Sequence, residues 1–545
     1  MPSPANHQTR ITLFDTTLRD GAQTRGVDFT VADKQAIALM LDELGIDYIE
    51  GGWPGANPTD DAFFAAPTAS GQGFKKAKFT AFGMTRRSGR SASNDPGLAA
   101  LMNSGANSLC IVGKAWDHQI KLALGIDLAE NLAMIGESID YIAKSGREAL
   151  FDCEHFFDGY KSNPAFALDC AKTALKNGAR WVVLCDTNGG TLPHEVASIV
   201  AAVAREIPGE NLGIHAHNDT ENAVANSLAA VQAGARQIQG TLNGLGERCG
   251  NANLVSLLPS LMLKMGYETG VNRDHLTGLT RISRALDERL NRAPNRHAAY
   301  VGESAFAHKG GLHASAVEKD ATTYEHVAPE LVGNQRLVLV SDQAGRANIL
   351  RRCREIGIDL NNDSPLLPAL VDLVKNREFY GYAYDGADAS FELLARRLLG
   401  LVKEPFLVKK FRVLIERQPI HSALLDHHQD MEATVEAISE ATVQITVDGE
   451  SRLEVAEGNG PVNALDQAMR KALIARFPVL ADLQLVDYKV RILNSGDGTM
   501  AVTRVMIDSS TANGHRWSTV GVSANVIDAS FLALNDALCY RLLMG

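Results

Sequence analysis

The 545-residue sequence predicts an α/β fold, with a (β/α)8 barrel, a helical linker region and a smaller α+β domain in that order. Three observations carry this prediction. Eight short β-rich runs alternate with helical stretches from residue 11 to about residue 265. Charged and mostly helical sequence follows, and β-rich runs with two helices begin near residue 411. Eight strand–helix units in about 255 residues match the size and rhythm of a TIM barrel.

Each predicted strand is a short β-rich run that is followed by a loop and a helical stretch. The strands span residues 11–15, 48–53, 78–84, 108–113, 148–154, 181–187, 212–218 and 237–243. The clearest helices span residues 31–44, 127–145, 164–177, 193–205 and 220–233. Thr30 and Asp33 form a capping-box variant before the first helix. A doubly wound sheet would alternate the same elements, but usually with fewer strands, so the barrel is favoured.

The barrel prediction covers residues 8–275, the linker subdomains residues 276–410, and the C-terminal α+β domain residues 411–545. The C-terminal part contains a weak internal repeat, because ALDQAM at 464–469 resembles ALNDAL at 533–538. Each segment follows a predicted strand and a glycine-containing turn. We therefore expect two β–α units that face one another, although two Ala/Leu-rich helices can resemble each other by coincidence.

Composition excludes several classes of protein. Acidic residues outnumber basic ones by 64 to 53, and the net charge of −11 argues against nucleic-acid binding as the main task. The seven cysteines are dispersed without a CxxC pair, which is typical of reduced thiols in a cytosolic protein. The N-terminus lacks a signal-peptide pattern, and no apolar run reaches about 18 residues. These features predict a cytoplasmic protein without a membrane span.

Polar residues with metal-binding chemistry follow three of the predicted strands. Asp20 follows the first strand, His215 and His217 lie on the seventh, and Asn251 follows the eighth. Residues i and i+2 of a strand share a face, and strands 1, 7 and 8 are neighbours in a closed barrel. An isolated HxH is more often a surface or hydrogen-bonded pair than a ligand pair. Together, however, one carboxylate, two imidazoles and an amide oxygen suit Zn²⁺, Mn²⁺, Co²⁺ or Mg²⁺.

Three more residues are predicted to face the same rim. Arg19 precedes Asp20 and would stabilise an oxygen that becomes negative during a reaction, unless it forms only a rim salt bridge. Glu154 ends the fifth strand and is a candidate acid/base or its orienter. The alternative for Glu154 is a structural ion pair with a rim cation. Thr187 ends the sixth strand and points the same way.

The motifs LFDTTLRDGAQ, HAHND and NGLGERCGN resemble those of the DRE-TIM metallolyase superfamily. More narrowly, the chain is similar to its Claisen-condensing acyltransferases, the isopropylmalate, homocitrate and citramalate synthases. AFAHKGGLHASAV resembles the linker motif of these enzymes, while AEGNGPVNAL and GDGTMAVTRV resemble their C-terminal regulatory domain. GGWPGANPTD at 51–60 resembles the citramalate synthases specifically. Ala22 stands where the opening motif more often has Glu.

The resemblance implies a role for individual residues. Asp20, His215, His217 and Asn251 match the metal ligands, and Arg19 matches the residue that polarises the ketone. Gln23, Glu154 and Thr187 are expected to contact the substrate, with Glu154 assisting catalysis. His313 matches a linker histidine that takes part in deprotonation and typically comes from the partner subunit of a dimer. Tyr324 is a candidate companion tyrosine.

The implied activity is condensation of acetyl-CoA with pyruvate, in the pathway to isoleucine. Isoleucine is the expected inhibitor, and a homodimer is the expected assembly. Isopropylmalate or homocitrate synthesis is the nearest alternative. Two other classes stay open: a CoA-dependent carbon–carbon lyase, and an amino-acid-binding protein on an inactive barrel. Such lyases carry a cysteine in the loop after strand 8, where Cys249 lies, and a packing role is expected for it here.

Trp53 is expected either to close the acceptor pocket or to pack under the barrel. An acidic protein that binds CoA also needs a local cationic site, which Arg19 alone cannot supply.

Overall fold

The computed structural model describes residues 10–65, 74–338, 346–416, 438–493 and 500–545. Residues 8 and 9, and parts of the predicted C-terminal strands and of the GDGTMAVTRV motif, lie outside the described residues. The chain divides into two compact units. The first contains residues up to 306 together with 326–336, and the second contains residues 307–325 and 337–545.

The first unit is a closed barrel of eight parallel strands in the order β1 to β8. The strands are β1 Thr12–Asp15, β2 Tyr48–Gly52, β3 Lys78–Met84, β4 Ser108–Lys114, β5 Glu148–Glu154, β6 Ala179–Asp186, β7 Leu212–Ala216 and β8 Gln237–Gly240. The barrel closes where β1 pairs with β8, with Thr12 opposite Gln237. This confirms the predicted TIM barrel.

Helices surround the strands. They are Val31–Leu44, Pro58–Ala65, Pro96–Asn103, Asp117–Gln119, Leu128–Lys144, Phe156–Ser162, Pro164–Lys176, Pro193–Val203, Ala223–Ala233 and Leu254–Pro259. The capping box at Thr30 is confirmed, because its Oγ1 accepts from the backbone N–H of Asp33 (3.1 Å) and Asp33 Oδ2 accepts from the N–H of Thr30 (3.1 Å). The helix predicted from residue 220 begins at Ala223 instead.

Two apolar layers hold the barrel together. Alternate strand residues such as Leu13, Ile49 and Ile111 pack outward against the helices. Their neighbours on the same strands form a second cluster inside the barrel, consisting of Phe14, Tyr48, Phe82, Cys110, Leu150, Trp181, Val183 and Cys185. The period-2 alternation of a strand produces this division.

Four predicted strands end earlier than expected at the end of the barrel that carries the polar motifs. β2 ends at Gly52, β6 at Asp186, β7 at Ala216 and β8 at Gly240. His217 instead makes an isolated bridge to Asn251. The chain after β8 turns through a 3-10 segment in which Asn243 adopts a φ of 56°. Turn formation therefore overrides the β-rich composition at these strand ends.

The region between the barrel and the C-terminal sheets is mostly helical. Its helices are Arg273–Leu276, Leu279–Arg289, Gly311–Lys319, Arg346–Glu355, Leu366–Phe379 and Asp388–Leu398, and β9 Ala307–His308 pairs with β10 Leu337–Val338. Two antiparallel sheets follow: β11 Leu407–Glu416, β12 Ile438–Val447 and β13 Glu450–Gly458, then β14 Gln484–Ile492, β15 Thr503–Ser510 and β16 Arg516–Ser523.

The C-terminal repeat is confirmed and is larger than a β–α unit. Each copy consists of three antiparallel strands and one helix, Pro461–Leu473 after β13 and Val526–Met544 after β16. Residues from both helices, such as Ala468 and Ala533, share one core with residues of both sheets. No helix among the described residues is both long and apolar enough to cross a membrane.

Candidate active site

Asp20, His215 and His217 meet at the end of the barrel where the strands finish. All three are buried, and their ligand atoms lie within 4.8 Å of one another. The two Nε2 atoms are 3.2 Å apart, and Asp20 Oδ2 lies 3.4 Å from Nε2 of His215 and 4.0 Å from Nε2 of His217. The pairing of β1 with β8 and of β8 with β7 brings these side chains together.

A hydrogen bond at Nδ1, the ring nitrogen that faces away from the cluster, fixes the tautomer of His215. Its Nδ1 lies 2.8 Å from Oε1 of Gln239, which can only accept, so His215 carries its proton on Nδ1. The amide nitrogen of Gln239 in turn donates to Oδ1 of Asp152 (2.9 Å). When His215 is neutral, its Nε2 therefore presents a lone pair to the cluster. This support of a ligand through its second nitrogen is typical of metal-binding histidines.

Two buried oxygens of the predicted metal ligands have no hydrogen-bond donor among the described residues. They are Oδ1 of Asp20 and Oδ1 of Asn251. The Asn251 backbone bridges to His217, and its amide nitrogen donates to the Leu245 carbonyl (3.3 Å). Burying such oxygens without a partner is costly, and a divalent cation would supply one. The arrangement fits the predicted set of four ligands.

Electrostatics keep Asp20 and His217 in the forms that can bind a cation. Burial acts to raise the pKa of Asp20, but the Arg19 charge and the His215 hydrogen bond outweigh it and hold the pKa well below its usual range. Burial and then the neighbouring charge of His215 lower the pKa of His217 to about 3. Near neutral pH Asp20 is ionised and His217 is neutral, as metal binding requires. Burial acts to lower the pKa of His215, but the hydrogen bond and the charge of Asp20 outweigh it and raise this pKa, so a cation competes with a proton for Nε2 of His215.

Arg19 is held in place by a buried carboxylate that the sequence analysis did not identify. Its Nε donates to Oε2 of Glu50 (2.7 Å), and its Nη1 lies 3.2 Å from Oδ2 of Asp20. The guanidinium carbon lies 3.8 Å from the ring centroid of Phe82. Thr16 donates to the same oxygen of Glu50. Arg19 thus forms the predicted salt bridge and also lines the cavity above the cluster.

That cavity has a volume of about 320 Å³. Besides Arg19, Asp20, His215 and His217, it is lined by Gln23, Trp53, Phe82, Met84, Val112, Lys114, Asp152, Glu154, Cys185, Thr187, Glu247 and Arg248. Four of the predicted substrate or catalytic residues, namely Arg19, Gln23, Glu154 and Thr187, are therefore brought together here.

Two cations of this wall, Lys114 and Arg248, were missed by the sequence analysis. Lys114 forms an ion pair with Glu154, which is the structural alternative considered for that carboxylate. Arg248 binds both carboxylate oxygens of Asp219 (2.7 and 2.9 Å) and the carbonyl of Thr187 (2.8 Å). The position of Lys114 at the end of β4 was a usable signal, because residues at strand ends face this rim.

The linker residues His313 and Tyr324 belong to the second unit. Their rings stack with centroids 4.2 Å apart and an interplanar angle of 26°. His313 is exposed, and Tyr324 is 48% exposed. The structure thus brings these two residues together, as a companion pair requires.

Two further expectations concern Cys249 and Trp53. The packing role expected for Cys249 is wrong, because the residue is exposed in the loop after β8. Trp53 follows the end of β2 and lines the cavity, with its ring edge-on to Phe82 at 5.4 Å. Of the two positions expected for Trp53, the structure shows the one beside the pocket.

Comparison with known proteins agrees with this geometry. The HMGL-like family model matches residues 10–283, the homocitrate synthase post-HMGL domain-like model residues 300–376, and the LeuA allosteric (dimerisation) domain model residues 385–542. The (R)-citramalate synthase of Aquifex aeolicus is 50% identical over 98% of both chains. That of Streptomyces coelicolor is 50% identical over 97% of this chain and 96% of its own.

A more distant relative belongs to a different group of enzymes, the 2-isopropylmalate synthases. The 2-isopropylmalate synthase of Rhodopseudomonas palustris is 29% identical over 93% of this chain and 90% of its own. The two (R)-citramalate synthases are 50% identical to this chain and the 2-isopropylmalate synthase is 29% identical, so the chain groups with the (R)-citramalate synthases. The chain therefore belongs to the HMGL-like family and, within it, to the (R)-citramalate synthases.

Proposed function

We propose that the chain condenses acetyl-CoA with pyruvate to give (R)-citramalate and free CoA. The observation that carries this proposal is the buried cluster of Asp20, His215 and His217 with Arg19 fixed beside it at the floor of the cavity. The names of the relatives that are about half identical over nearly the whole chain support the choice of reaction.

Asp20, His215, His217 and Asn251 would hold the divalent cation, which would supply Lewis-acid polarisation of the keto oxygen. Arg19 donates its free guanidinium N–H groups to that oxygen, which becomes an alkoxide as the new carbon–carbon bond forms. Glu50 and Phe82 keep the guanidinium in place during this change. Preorganised donors stabilise developing charge without reorganisation, and this is the source of their effect on rate.

The remaining polar residues orient the acceptor and move a proton. Thr187 Oγ1 accepts from the backbone N–H of His155 (2.8 Å), so its own hydroxyl proton is free to donate to the acceptor carboxylate. Gln23 lines the same wall. We assign proton removal from the acetyl methyl group to His313, with Tyr324 stacked on it and Glu154 as an assisting carboxylate. Water then hydrolyses the thioester and releases the CoA thiol.

The cavity wall favours a small monocarboxylate as the acceptor. Its three cations, Arg19, Lys114 and Arg248, each have a carboxylate partner. A second substrate carboxylate, as homocitrate synthesis requires, would therefore meet no free cation among the lining residues that the structure describes. Phe82, Val112 and Trp53 supply apolar surface near the cluster, which suits the methyl group of pyruvate.

The second candidate is 2-isopropylmalate synthesis, which the more distant relative favours. It differs only in the acceptor, because 2-oxoisovalerate carries an isopropyl group where pyruvate carries a methyl group, which adds two carbon atoms. A methylene group in an apolar pocket is worth about 1–3 kcal/mol, so rejection of the larger acid depends on steric closure by residues such as Trp53.

The C-terminal repeat is proposed to regulate the enzyme and to join two chains. Its support is the match to the LeuA allosteric (dimerisation) domain model at residues 385–542. Isoleucine is the proposed effector, and a homodimer is the proposed assembly.

Release of CoA thiol across a panel of keto acids tests the proposal. Pyruvate should give the highest kcat/KM, 2-oxobutanoate a lower value, and 2-oxoisovalerate and 2-oxoglutarate little release above a blank without keto acid. A preference for 2-oxoisovalerate would make the chain an isopropylmalate synthase. Thiol release that does not depend on a keto acid would contradict condensation altogether.

A further inference from the structure

The segment between β2 and the helix Pro58–Ala65 is organised around one buried carboxylate, that of Asp60. Its Oδ2 accepts from the backbone N–H of Trp53 (2.8 Å) and from Nδ2 of Asn57 (3.0 Å). Its own backbone N–H donates to Oδ1 of Asn57 (2.8 Å). The other carboxylate oxygen pairs with the ammonium of Lys34. The GGWPGANPTD motif is therefore a single hydrogen-bonded unit.

Lys34 ties this unit to the helix Val31–Leu44. Its side chain is only 4% exposed, and Nζ also donates to the carbonyl of Gly51 (2.9 Å). The ammonium thus contacts both the C-terminal end of β2 and the carboxylate that holds Trp53. A buried ion pair gains little net stability over apolar packing of the same volume, because both charges lose their hydration. This pair is better explained by the geometry that it imposes.

The backbone passes unusually close to the carboxylate. Gly52 has a φ of 149°, and a Cβ built on it would lie 2.5 Å from Cγ of Asp60. A Cβ on Gly51 would lie 2.5 Å from the Phe79 ring. Both positions therefore need glycine, since a Cβ at Gly52 would meet the Asp60 carboxylate and a Cβ at Gly51 would meet the Phe79 ring.

The position of Trp53 has consequences for the reaction site. Its ring contacts Phe82 edge-on (5.4 Å, 83°), and Phe82 lies under the Arg19 guanidinium. Trp53 also lines three cavities at this rim, of about 320, 360 and 240 Å³. Its indole therefore helps to divide the space above the cluster from the spaces on either side.

We propose that Lys34 and Asp60 are positioning residues that set acceptor specificity by holding the Gly51–Trp53 segment and, through it, the indole wall of the acceptor cavity. Neither residue lines the cavity above the cluster. Both line the adjoining cavity of about 360 Å³, which Trp53 also lines, so their effect on the acceptor is expected to pass through the indole. The inference rests on the proposed function for its activity readout.

The test compares Asp60→Asn with Asp42→Asn in the full-length chain. Asp42 is a matched control, since it is equally buried (5% against 6% exposed) and its carboxylate accepts three backbone N–H groups, of Lys75, Lys76 and Ala77. Lys75, Lys76 and Ala77 precede β3 and so lie at the opposite end of the barrel. Both variants should lose thermal stability to a similar extent.

Only Asp60→Asn should alter specificity. An Asn amide places its NH2 group against either the Lys34 ammonium or the Trp53 N–H, so the indole wall is no longer held. We expect the KM for pyruvate to rise about tenfold and the preference for pyruvate over 2-oxobutanoate to fall. In a Trp53→Ala background, Asp60→Asn should cause no further loss of preference, because both changes act on one wall.

Equal acceptor preference in wild type, Asp60→Asn and Asp42→Asn would overturn the inference. If Asp60→Asn does not fold, Asn57→Ala decides the matter, because it removes one donor to Asp60 and leaves the ion pair intact; an unchanged preference in that variant would equally overturn the inference. If the wild type prefers another keto acid, the proposed function fails, and the same comparison is made with that acid and its next larger homologue.

Discussion

Arg19 shows how a single residue combines binding and charge stabilisation. Its guanidinium is fixed by Glu50 and Asp20 and lies over Phe82, yet the residue still lines the cavity. Buried carboxylates normally need a partner, and here Glu50 and Asp20 share one cation. Burial acts against the charge of Arg19, but Glu50 and then Asp20 outweigh it and raise its pKa. The residue is therefore a permanent cation beside the reacting oxygen.

Arg19→Lys is predicted to lower kcat about a hundredfold, because an ammonium cannot bind Glu50, stack on Phe82 and donate to the oxygen at once. Steady-state thiol release measures the rate, and metal analysis of the same sample should show unchanged occupancy. A variant that keeps a rate within twofold of wild type would remove Arg19 from the mechanism.

The hydrogen bond between Gln239 and His215 leads to a second prediction about single residues. Gln239→Leu removes the acceptor that keeps the His215 proton on Nδ1, so we expect metal affinity to fall about 10–100-fold. Competition with a chelator measures the affinity directly, without an activity assay. Gln237→Leu is the control, since Gln237 lies two residues earlier on β8, is equally buried, and its side chain has no hydrogen-bond partner among the described residues. Equal affinities in both variants would contradict the role of Gln239.

The sequence indicated the cluster residues because each follows or ends a strand, and the barrel rule places such residues at one rim. Glu50, Gln239, Lys114 and Arg248 were not identified. Glu50 and Gln239 are buried polar residues inside strands, and the partners that explain them lie 31 and 24 residues away. A sequence pattern does not contain such distant pairings.

At the scale of elements, the loop after β3 contains a cation that suits the phosphates of CoA. Arg86 in this loop is paired with Glu130 and Glu137. Arg87 is exposed, has no ion-pair partner among the described residues, and lines a largely apolar cavity of about 240 Å³. That cavity shares Trp53, Lys114 and Glu154 with the cavity above the cluster. The local cationic site that an acidic CoA-binding protein needs is expected here.

Arg87→Ala is predicted to raise the KM for acetyl-CoA about three- to tenfold, with the KM for pyruvate unchanged, because one exposed charge–phosphate contact contributes about 1 kcal/mol. The effect should shrink at high salt. Arg90→Ala is the matched control, since Arg90 is exposed in the same loop but does not line the cavity. A rise in the KM for acetyl-CoA with Arg90→Ala alone would place the phosphate contact elsewhere.

Some strand and helix boundaries agree with the sequence prediction, and others differ from it. The helix Val31–Leu44 and the strands β3 and β5 have the predicted bounds, because their caps and apolar spacing are local features. His217 was assigned to β7 but follows its end, since the bridge to Asn251 replaces strand pairing. The two histidines still converge, because the extended backbone continues beyond the last paired residue.

At the scale of the whole molecule, the C-terminal repeat shares a core with part of the linker region. Ala389 and Leu393 of the helix Asp388–Leu398 pack into the core of the two repeats, while Phe391 and Leu394 pack into the linker core. Arg397 and Ser390 of this helix also bind the partly buried Asp536 (2.8 Å each). The boundary between residues 410 and 411 stays a prediction, and cutting there would remove packing partners of this helix.

Feedback control is therefore best tested on the full-length chain. We predict that isoleucine lowers the rate of thiol release and that leucine and valine at the same concentration do not. The physical reason is that an effector bound to the repeat must favour one arrangement of the domain over another. Rates that do not respond to isoleucine would contradict the proposed regulation without affecting the proposed chemistry.

The central claim is that a carbon–carbon bond forms between the acetyl methyl group and the keto carbon of pyruvate. The most direct test incubates the metal-loaded chain with acetyl-CoA labelled with ¹³C at the methyl carbon, follows the label by NMR and measures the CoA thiol that is released. We predict that the methyl signal is replaced by the methylene signal of citramalate, in amounts equal to the free CoA, and only when pyruvate is present. Free CoA accompanied by labelled acetate, without a methylene signal, would contradict the account.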